Sequence, residues 1–402
     1  MDRADPLAQA RGRFILPDGV IYLDGNSLGP LPASVPQRLA DVVAREWGSD
    51  LIRSWNANGW IALPARIGGQ IAGLIGAEAD EVIVADSTSV NLFKLAAAAV
   101  RHQAPRRVVL SERGNFPTDL YVLQGLENLL GEKLTLRLVD REEIARSLSS
   151  DVALLVLTHG HYKTGELYDM RVLTAAAHAH GALVLWDLSH SAGVMELFLD
   201  RDEVDLAVGC GYKYLNGGPG APAFLYVARR HQERLRQPLS GWMGHAAPFD
   251  FDDRYTPASG IAHYLCGTPA VLGIAALAEG VAAFDGIAMS AVREKSMRLG
   301  DLFLRLVDER CGAAGFAIAC PKEAERRGSQ VALRHLHGYE IVQALIARGV
   351  IGDFRAPDVL RFGFSPLYTR YSDAWDAVDN LVGVMSDGSW RHDRYRARAA
   401  VT

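Results

Sequence analysis

Cysteine is scarce in this sequence. Only four of the 402 residues are cysteines, and no two of them form a CxxC pair. They are Cys210, Cys266, Cys311 and Cys320. Disulfide frameworks and structural zinc sites need more numerous or more closely spaced cysteines. We therefore predict free thiols in a reducing compartment.

Long apolar runs and a strong charge bias are also lacking. No window of about eighteen residues is apolar throughout, so the sequence predicts no membrane-spanning helix. Residues 1–6 are charged and include no apolar stretch, which argues against a secretory signal peptide. The net charge of −5 gives no basic footprint for nucleic acid. These absences predict a cytoplasmic protein that binds neither nucleic acid nor membrane.

What is present is the composition of an ordinary globular protein. Apolar residues make up 49% of the chain and charged residues 22%. A chain of 402 residues has room for a large domain and a smaller one. From about residue 65, β-rich runs alternate with helical patterns. This alternation predicts an α/β fold with a mostly parallel sheet, which binds ligands at the carboxyl ends of its strands.

One lysine lies in an unusual place, at an apolar strand end before a glycine-rich turn. Lys213 follows the apolar run 204–210, and ammonium groups are rarely left unpaired in such surroundings. Burial lowers the pKa of an amine, and the neutral amine can form a Schiff base. About 23 residues upstream, Asp187 ends an apolar strand and His190 follows it. Pyridoxal phosphate enzymes use such an acid for the pyridinium nitrogen and such a lysine for the aldehyde. A snorkelling lysine and a helix-capping aspartate are the plain alternatives, but the combination favours the cofactor.

Further candidates follow other predicted strands. Thr88 and Ser89 open a helix after the strand 81–85, so they form either a phosphate-binding helix start or a simple N-cap. Phe116 and Asp119 lie in the turn after the next strand. Because all these residues fall at carboxyl ends of predicted strands, we expect them to meet at one ligand site.

Candidates outside the predicted sheet are less specific. Trp55 lies in a polar loop, where its ring is either a stacking surface or docked on the large domain. Arg361 lies in an apolar strand and needs a substrate carboxylate or a protein carboxylate as its partner. Thr268 is predicted to cap a long helix that begins at Pro269. The tail after Trp390 is predicted to be frayed.

Two other patterns are set aside. Residues 218–223 match GxGxxA, but they precede a strand and contain two prolines, whereas the dinucleotide motif follows a strand and opens a helix. His159 and His161, with Asp187 and His190, lack the spacing of a diagnostic third ligand. We therefore predict no metal site.

Six short motifs follow one another along the chain. They read Tyr-Leu-Asp-Gly-Asn-Ser-Leu-Gly at 22–29, Ser-Val-Asn-Leu at 89–92, Phe-Pro-Thr-Asp at 116–119, Trp-Asp-Leu-Ser-His at 186–190, Gly-Tyr-Lys-Tyr-Leu-Asn-Gly-Gly-Pro-Gly at 211–220 and Gly-Trp-Met-Gly-His at 241–245. Each motif alone is weak, but their order and the mid-chain lysine are specific. From Tyr22 to about Tyr371, the chain resembles the kynureninase family of fold type I pyridoxal phosphate enzymes.

The resemblance implies an architecture. It is a large domain with a mostly parallel seven-stranded sheet sandwiched by helices, plus a smaller α/β domain. Residues 1–60 would form an N-terminal arm and part of the small domain. Residues 61–290 would form the large cofactor-binding domain, and 291–402 the C-terminal small domain.

The resemblance also implies an activity and roles. The reaction is hydrolytic Cβ–Cγ cleavage of L-kynurenine to anthranilate and L-alanine in tryptophan catabolism, with 3-hydroxy-L-kynurenine left open as a second substrate. Lys213 would bind the cofactor's aldehyde, Asp187 its ring nitrogen, His190 the region of its ring oxygen, and Phe116 its ring face, with Tyr212 in the proton relay. The phosphate would be bound by Thr88, Ser89, Tyr212, Trp242 and Thr268, the last two from the second subunit of a homodimer. Asp119 would join this cofactor site through a neighbouring N–H or hydroxyl, because an anionic carboxylate cannot donate to a phosphate. Trp55 and Gly267 would flank the substrate ring, and Arg361 would hold its α-carboxylate.

Two alternatives stay open on the sequence. One is another fold type I lyase such as a cysteine desulfurase, which needs a reactive cysteine on a mobile loop over the cofactor. The other is a non-catalytic cofactor-binding regulator, which needs an effector module that residues 1–20 are too short to supply.

Overall fold

The computed structural model describes residues 1–398. Its α-helices are α1 Val35–Asp41, α2 Ser54–Ala57, α3 Leu63–Ile75, α4 Thr88–His102, α5 Pro117–Leu130, α6 Met170–Ala179, α7 Arg229–Gln232, α8 Val271–Ala282, α9 Met289–Cys311, α10 Gly338–Ile346 and α11 Tyr371–Asp387. Its strands are β1 Phe14–Ile15, β2 Ile21–Tyr22, β3 Leu31–Pro32, β4 Val82–Val84, β5 Val108–Glu112, β6 Thr135–Val139, β7 Val152–Thr158, β8 Leu183–Asp187, β9 Leu206–Gly209, β10 Phe224–Val227, β11 Ala317–Ile318, β12 Gln330–Arg334, β13 Val350–Ile351, β14 Asp353–Arg355 and β15 Val359–Gly363.

A seven-stranded sheet forms the centre of the molecule. Its strand order is β4-β10-β9-β8-β7-β5-β6. Strands β5 to β9 pair in parallel, and only β10 runs against its neighbours β4 and β9. The carboxyl ends of β4, β7, β8 and β9 therefore lie on one edge, which we call the carboxyl edge. The prediction of a mostly parallel sheet is confirmed.

Helices cover both faces of this sheet because its strands are apolar on both sides. In β4, Val82 and Val84 join one core with Ile71 of α3 and Leu277 of α8. The intervening Ile83 joins a second core, which includes residues of α4 and α5. Side chains of a strand alternate between the two faces, so a short, fully apolar strand supplies both cores. The result is the three-layer α/β arrangement.

A second, smaller sheet lies in the C-terminal part. It is antiparallel with the order β11-β12-β15-β14, and it packs with α9, α10 and α11 around its own apolar core. The N-terminal part contributes to the same region, because β2 pairs in parallel with β13 and Leu23 belongs to that core. The three-way division at residues 60 and 290 stays a prediction.

Helix α1 continues directly as a π-helical segment over Val42–Trp47. Two local predictions are corrected. Helix α8 begins at Val271, so Thr268 lies in the preceding loop and does not cap the helix. The tail after Trp390 is not frayed up to residue 398, because Tyr395 is buried and the Tyr339 hydroxyl donates to the Ala397 carbonyl at 3.0 Å. Residues 399–402 of that prediction lie outside the described residues.

Candidate active site

The centre of the candidate site is Lys213, four residues after β9. Its side chain is only 8% exposed, and its Nζ lies 3.0 Å from Nε2 of His190. Burial, and then the charge of Lys213, lower the pKa of His190 well below its ordinary value. The neutral imidazole therefore accepts the hydrogen bond through Nε2. Its buried Nδ1 has no hydrogen-bond partner within residues 1–398.

Two buried carboxyl groups lie close to this pair. Asp187 ends β8, and its Oδ1 accepts hydrogen bonds from the Ser189 amide at 2.8 Å and the Ser189 hydroxyl at 2.6 Å. Asp119, on the first turn of α5, is in hydrogen-bond contact with Asp187. Burial and the charge of Asp187 raise the pKa of Asp119 well above its usual value. The two acids therefore repel each other in a buried place, where a cation would relieve their repulsion.

An aromatic wall lies beside Lys213. The Nζ atom is 5.6 Å from the centroid of the Phe116 ring. Tyr162 packs edge-on against Phe116, with centroids 5.3 Å apart, and Asn115 Oδ1 accepts from the Phe116 amide at 2.7 Å. Tyr162 and Asn115 are absent from the sequence-based candidates. Asn115 could have been predicted as a site residue because it directly precedes Phe116, whereas nothing in the sequence around Tyr162 pointed to the site.

The start of α4 forms one wall of a cavity of about 360 Å³. Ser87 caps this helix, accepting from the Val90 amide at 3.4 Å. The helix start, whose first amides have no partner within the helix, therefore borders the cavity. The cavity is lined by Asp86, Ser87, Thr88, Tyr212, Cys266, Gly267 and Thr268, among others. Ser89 lies on the same helical turn but does not line the cavity. Within one chain, the structure thus brings Thr88, Tyr212, Gly267 and Thr268 together.

Tyr212 connects this cavity to Lys213. Lys213 Nζ lies 5.7 Å from the centroid of the Tyr212 ring. Burial, followed by the charges of Cys210 and Asp187, raises the pKa of the Tyr212 hydroxyl. The phenol therefore keeps its proton at neutral pH and is available as a donor.

The two tryptophan candidates lie outside this cluster. Trp55 packs edge-on against Trp60, with centroids 5.9 Å apart, and both line an apolar cavity of about 570 Å³ that reaches Thr268. Trp242 is 37% exposed and packs against Phe249. Neither tryptophan contacts Lys213 within the described chain.

Arg361 has protein partners in this structure. Its Nε donates to Asp353 Oδ1 at 2.7 Å, and its Nη2 contacts the other carboxylate oxygen. Nη1 donates to the Tyr162 carbonyl, which links the small sheet to the aromatic wall. The sequence left open a protein carboxylate as the partner of Arg361, and the structure contains one in Asp353. Binding of the substrate carboxylate by Arg361 stays a prediction.

Arg355 and Asp24 join this ion pair and were missed by the sequence reasoning. Arg355 Nη2 lies 2.8 Å from Asp353 Oδ2. Burial and the charge of Asp353 raise the pKa of Asp24 to about 7. Positive charge from Arg361 and Arg355 also reaches His190, whose pKa it lowers. The cluster therefore faces the same edge as Lys213.

The residues present fit pyridoxal phosphate. The acid pair Asp119–Asp187 suits a protonated ring nitrogen, Phe116 supplies a ring face, and the α4 start supplies free amides for a phosphate dianion. Within residues 1–398, no group of three or more His, Cys, Asp or Glu side chains is arranged to hold a metal ion. In the same part of the chain, no helix is both long enough and apolar enough to cross a membrane.

Known proteins match the whole chain. A kynureninase of Burkholderia mallei (strain SAVP1) is 50% identical over 407 aligned residues, covering 100% of this chain and 98% of that protein. A kynureninase of Pseudomonas fluorescens is 48% identical with the same coverage. The family model of the kynureninase C-terminal domain matches residues 292–381.

Solved structures match the fold at much lower identity. A cysteine desulfurase from Thermococcus onnurineus NA1 has a TM-score of 0.77 at 19% identity, covering 95% of this chain and 97% of that one. A C-DES variant with glycine covalently linked to its pyridoxal phosphate has a TM-score of 0.79 at 16% identity, covering 94% and 99%. These likenesses confirm fold type I, and they bear on the fold alone. The full-length identity to curated relatives decides the narrower question: this chain belongs to the kynureninase family.

Proposed function

We propose that this chain hydrolyses the Cβ–Cγ bond of L-kynurenine, releasing anthranilate and L-alanine, in tryptophan catabolism. The observation that carries the proposal is the contact of Lys213 Nζ with a neutral His190, beside the buried acid pair Asp119–Asp187. The relatives that match over the full chain are named kynureninases. Supply of a precursor for NAD biosynthesis is a further expectation from this reaction.

Pyridoxal phosphate, when bound, supplies a carbonyl carbon that links to amines and a ring that withdraws electrons. Lys213 would hold the carbonyl carbon and Asp187 the ring nitrogen. Phe116 would cover one ring face, and His190 would lie near the ring oxygen. Thr88 and the first-turn amides of α4, including that of Ser89, would bind the phosphate. The raised pKa of Asp119 allows it to donate a hydrogen bond, which an ionised carboxylate does not.

The chain's own groups then move the protons. Lys213 Nζ takes the proton from the substrate Cα and gives it back there when alanine forms, and His190 Nε2, 3.0 Å away, keeps that amine in place. Water adds its hydroxyl to the γ-carbonyl carbon, and the Cβ–Cγ bond breaks with its electron pair left on Cβ. The Tyr212 hydroxyl gives a proton to Cβ and is restored by the proton that the water releases. Anthranilate and alanine together account for every atom of substrate and water.

Substrate contacts are assigned to the residues around these groups. Trp55 and Gly267 would flank the aminophenyl ring, because both border the region of Thr268. Arg361 would bind the α-carboxylate with an N–H on Nη1 that Asp353 does not use. Arg361 is buried and paired, so its guanidinium is already oriented before substrate arrives.

We further propose a cytoplasmic homodimer with shared active sites, divided into residues 1–60, 61–290 and 291–402. An apolar cavity of about 660 Å³ supports the dimer, because the half-exposed side chains of Ile15, Leu31 and Leu272 line it. Trp242 is 37% exposed, as expected of a residue that completes a partner's site. Thr268 is assigned the same role, although it also lines the cavity of its own chain.

A cysteine desulfurase is the second candidate, since such enzymes share the fold. Cys210 is buried, and burial raises the pKa of its thiol. Cys266 lines the cavity, but burial raises its pKa as well, and its Sγ donates to the Leu239 carbonyl at 2.9 Å. Neither thiol has the thiolate character that a desulfurase nucleophile needs.

The test adds L-kynurenine, 3-hydroxy-L-kynurenine or L-cysteine to purified protein loaded with pyridoxal phosphate. Anthranilate fluorescence with stoichiometric alanine from kynurenine is the expected result, and the two kynurenine rates give the substrate preference. Lys213→Ala should be inactive, while Lys322→Ala, at an exposed position, should match the wild type. Alanine from cysteine without anthranilate from kynurenine would favour the desulfurase, and wild-type turnover by Lys213→Ala would overturn the mechanism.

A further inference from the structure

A second lysine is completely buried behind the start of α4. Lys94 lies on the second turn of that helix, and its side chain is 0% exposed. Its Nζ forms an ion pair with the Asp86 carboxylate and donates to the Tyr264 carbonyl at 2.7 Å. A buried ammonium is costly unless it is paired, so its two acceptors must be held firmly against it.

The two acceptors belong to two separate walls of the same cavity. Asp86 directly precedes Ser87 and Thr88, which form the α4 wall. Tyr264 directly precedes residues 265–270, which form the opposite wall. These segments are distant in the sequence, and the ammonium of Lys94 bridges them.

Asp86 has an uncommon backbone conformation. Its φ is +43°, in the left-handed region that non-glycine residues rarely adopt. Its carbonyl accepts from the Ala223 amide at 2.9 Å, and its side chain is held by Lys94. This left-handed residue sets the direction in which the chain leaves β4 and enters α4. The ion pair therefore acts on the geometry of the first helical turn.

We propose that Lys94 is a positioning residue for the cofactor's phosphate: it fixes the spacing between the Asp86–Thr88 turn and the loop that follows Tyr264. Lys94 makes no contact with the cofactor in this role and acts through Asp86 and the Tyr264 carbonyl. The inference rests on the proposed binding of pyridoxal phosphate at this edge, with its phosphate in the cavity of about 360 Å³.

The chain contains a matched control. Lys295 on α9 is 4% exposed, its Nζ lies 2.7 Å from Asp5 Oδ2, and it donates to the Pro366 carbonyl at 2.6 Å. The same three groups (a buried ammonium, one carboxylate and one backbone carbonyl) therefore occur at a place that does not line the cavity. Lys94→Met and Lys295→Met remove equivalent interactions, and only the first should affect phosphate binding.

The experiment compares pyridoxal phosphate with pyridoxal, which lacks the phosphate. Dissociation constants of both are measured by titrating each apo-protein and following the absorbance of the lysine adduct. In Lys94→Met, the preference for the phosphorylated form should fall at least tenfold, and the ³¹P resonance of the bound cofactor should shift or broaden. Lys295→Met should keep both the preference and the resonance, although its melting temperature falls.

A second variant separates positioning from simple charge attraction. Asn, like Asp, tolerates the left-handed region, so Asp86→Asn keeps the backbone preference and removes the ion pair. If Lys94 acted by its charge alone, loss of the Asp86 charge would tighten phosphate binding. Positioning predicts weaker binding, and the double variant should lose no more than either single variant. If Lys94→Met does not fold, Asp86→Asn and the double variant decide the question.

The outcomes are distinct. An unchanged preference for pyridoxal phosphate in Lys94→Met and Asp86→Asn, or an equal loss in Lys295→Met, overturns the positioning role. A wild-type protein that binds neither form, or binds both equally, contradicts the proposed cofactor site itself. A wild type that prefers the phosphorylated form but does not cleave kynurenine leaves the positioning role intact and overturns the reaction.

Discussion

Buried carboxylates have opposite surroundings at the carboxyl edge of the seven-stranded sheet and at the amino edge, where the parallel strands begin. At the amino end of β9, Asp205 accepts from Nε2 of His178 and of His231, both at 2.7 Å, and from Arg230 at 2.8 Å and the Val184 amide at 2.9 Å. Burial alone would raise the pKa of Asp205, but these donors lower it. At the carboxyl edge, burial and a second carboxylate raise the pKa of Asp119.

From this difference we infer that Asp205 stabilises the fold, whereas the groups at the carboxyl edge are suited to bind a ligand. Every oxygen of Asp205 has donors from the chain itself, so its charge contributes to the folded state. At the carboxyl edge, burial and the charge of Asp187 raise the pKa of Asp119, and His190 has an unpartnered Nδ1 within residues 1–398. Groups left unsatisfied in a buried place have a ligand as their natural partner. We therefore expect substitutions at the two edges to affect different properties.

Asp187→Asn should have the largest effect, and it should be on activity. An amide cannot keep the ring nitrogen protonated, so we expect kcat for kynurenine to fall by about 1,000-fold, or roughly 4 kcal/mol. The apo-protein should not be destabilised, because the substitution removes the repulsion between Asp187 and Asp119. Stopped-time anthranilate assays and thermal melts of the apo-protein measure the two properties. A large loss of apo stability with normal activity would place Asp187 in the same class as Asp205.

Asp205→Asn should show the reverse pattern. It leaves four hydrogen-bonding partners without their carboxylate, and breaking a buried pair of this kind costs about 3 kcal/mol when the partners are fully buried. His178 and Arg230 are partly exposed, so we expect about 2 kcal/mol. Urea unfolding of the apo-protein measures this loss. Activity per folded molecule should stay within about twofold, and a greater loss would show that the two edges are coupled.

The sequence identified the carboxyl edge well because its signals are local. Strands such as Val152–Thr158 and Phe224–Val227 are short apolar runs between turns, which are distinctive in a sequence. Asp187, His190 and Lys213 stand out because they are polar residues at the ends of such runs. Membership of the kynureninase family agrees with the motifs that contain them.

The features that the sequence did not predict depend on contacts between segments that are distant in the chain. The partner of Arg361 is Asp353 on β14, a three-residue strand with two charged residues that no periodicity identifies. Lys94 looks like a solvent-facing lysine of an alanine-rich helix, because its acceptor Tyr264 lies 170 positions away. The amino-edge cluster around Asp205 is assembled in the same way from three elements. Pair partners of buried charges are properties of packing, and the local sequence does not encode them.

The smallest expected effect is a pH dependence in which the two edges oppose each other. The hydrogen bond to Asp205 raises the pKa of His178 in the folded protein, so its contribution to stability is full below the unfolded pKa of about 6.5 and is lost as pH rises through the folded value. Burial lowers the pKa of His190, and it lowers those of His159 and His161 to about 4. Their contribution is present above about pH 6.5 and is lost as pH falls below it.

Burial and the charge of Asp353 raise the pKa of Asp24 to about 7, so Asp24 opposes the three histidines of the carboxyl edge in the same way as His178. The test is therefore the difference from the wild type. Between pH 7 and pH 5, His178→Asn should lose more stability than the wild type, and His161→Asn should lose less, by about 1 kcal/mol. Urea midpoints of the three apo-proteins, measured at half-unit steps of pH, test the signs. A flatter curve for His178→Asn would mean that the Asp205 cluster does not hold a protonated imidazole, and the contrast between the edges would then reduce to the carboxylates alone.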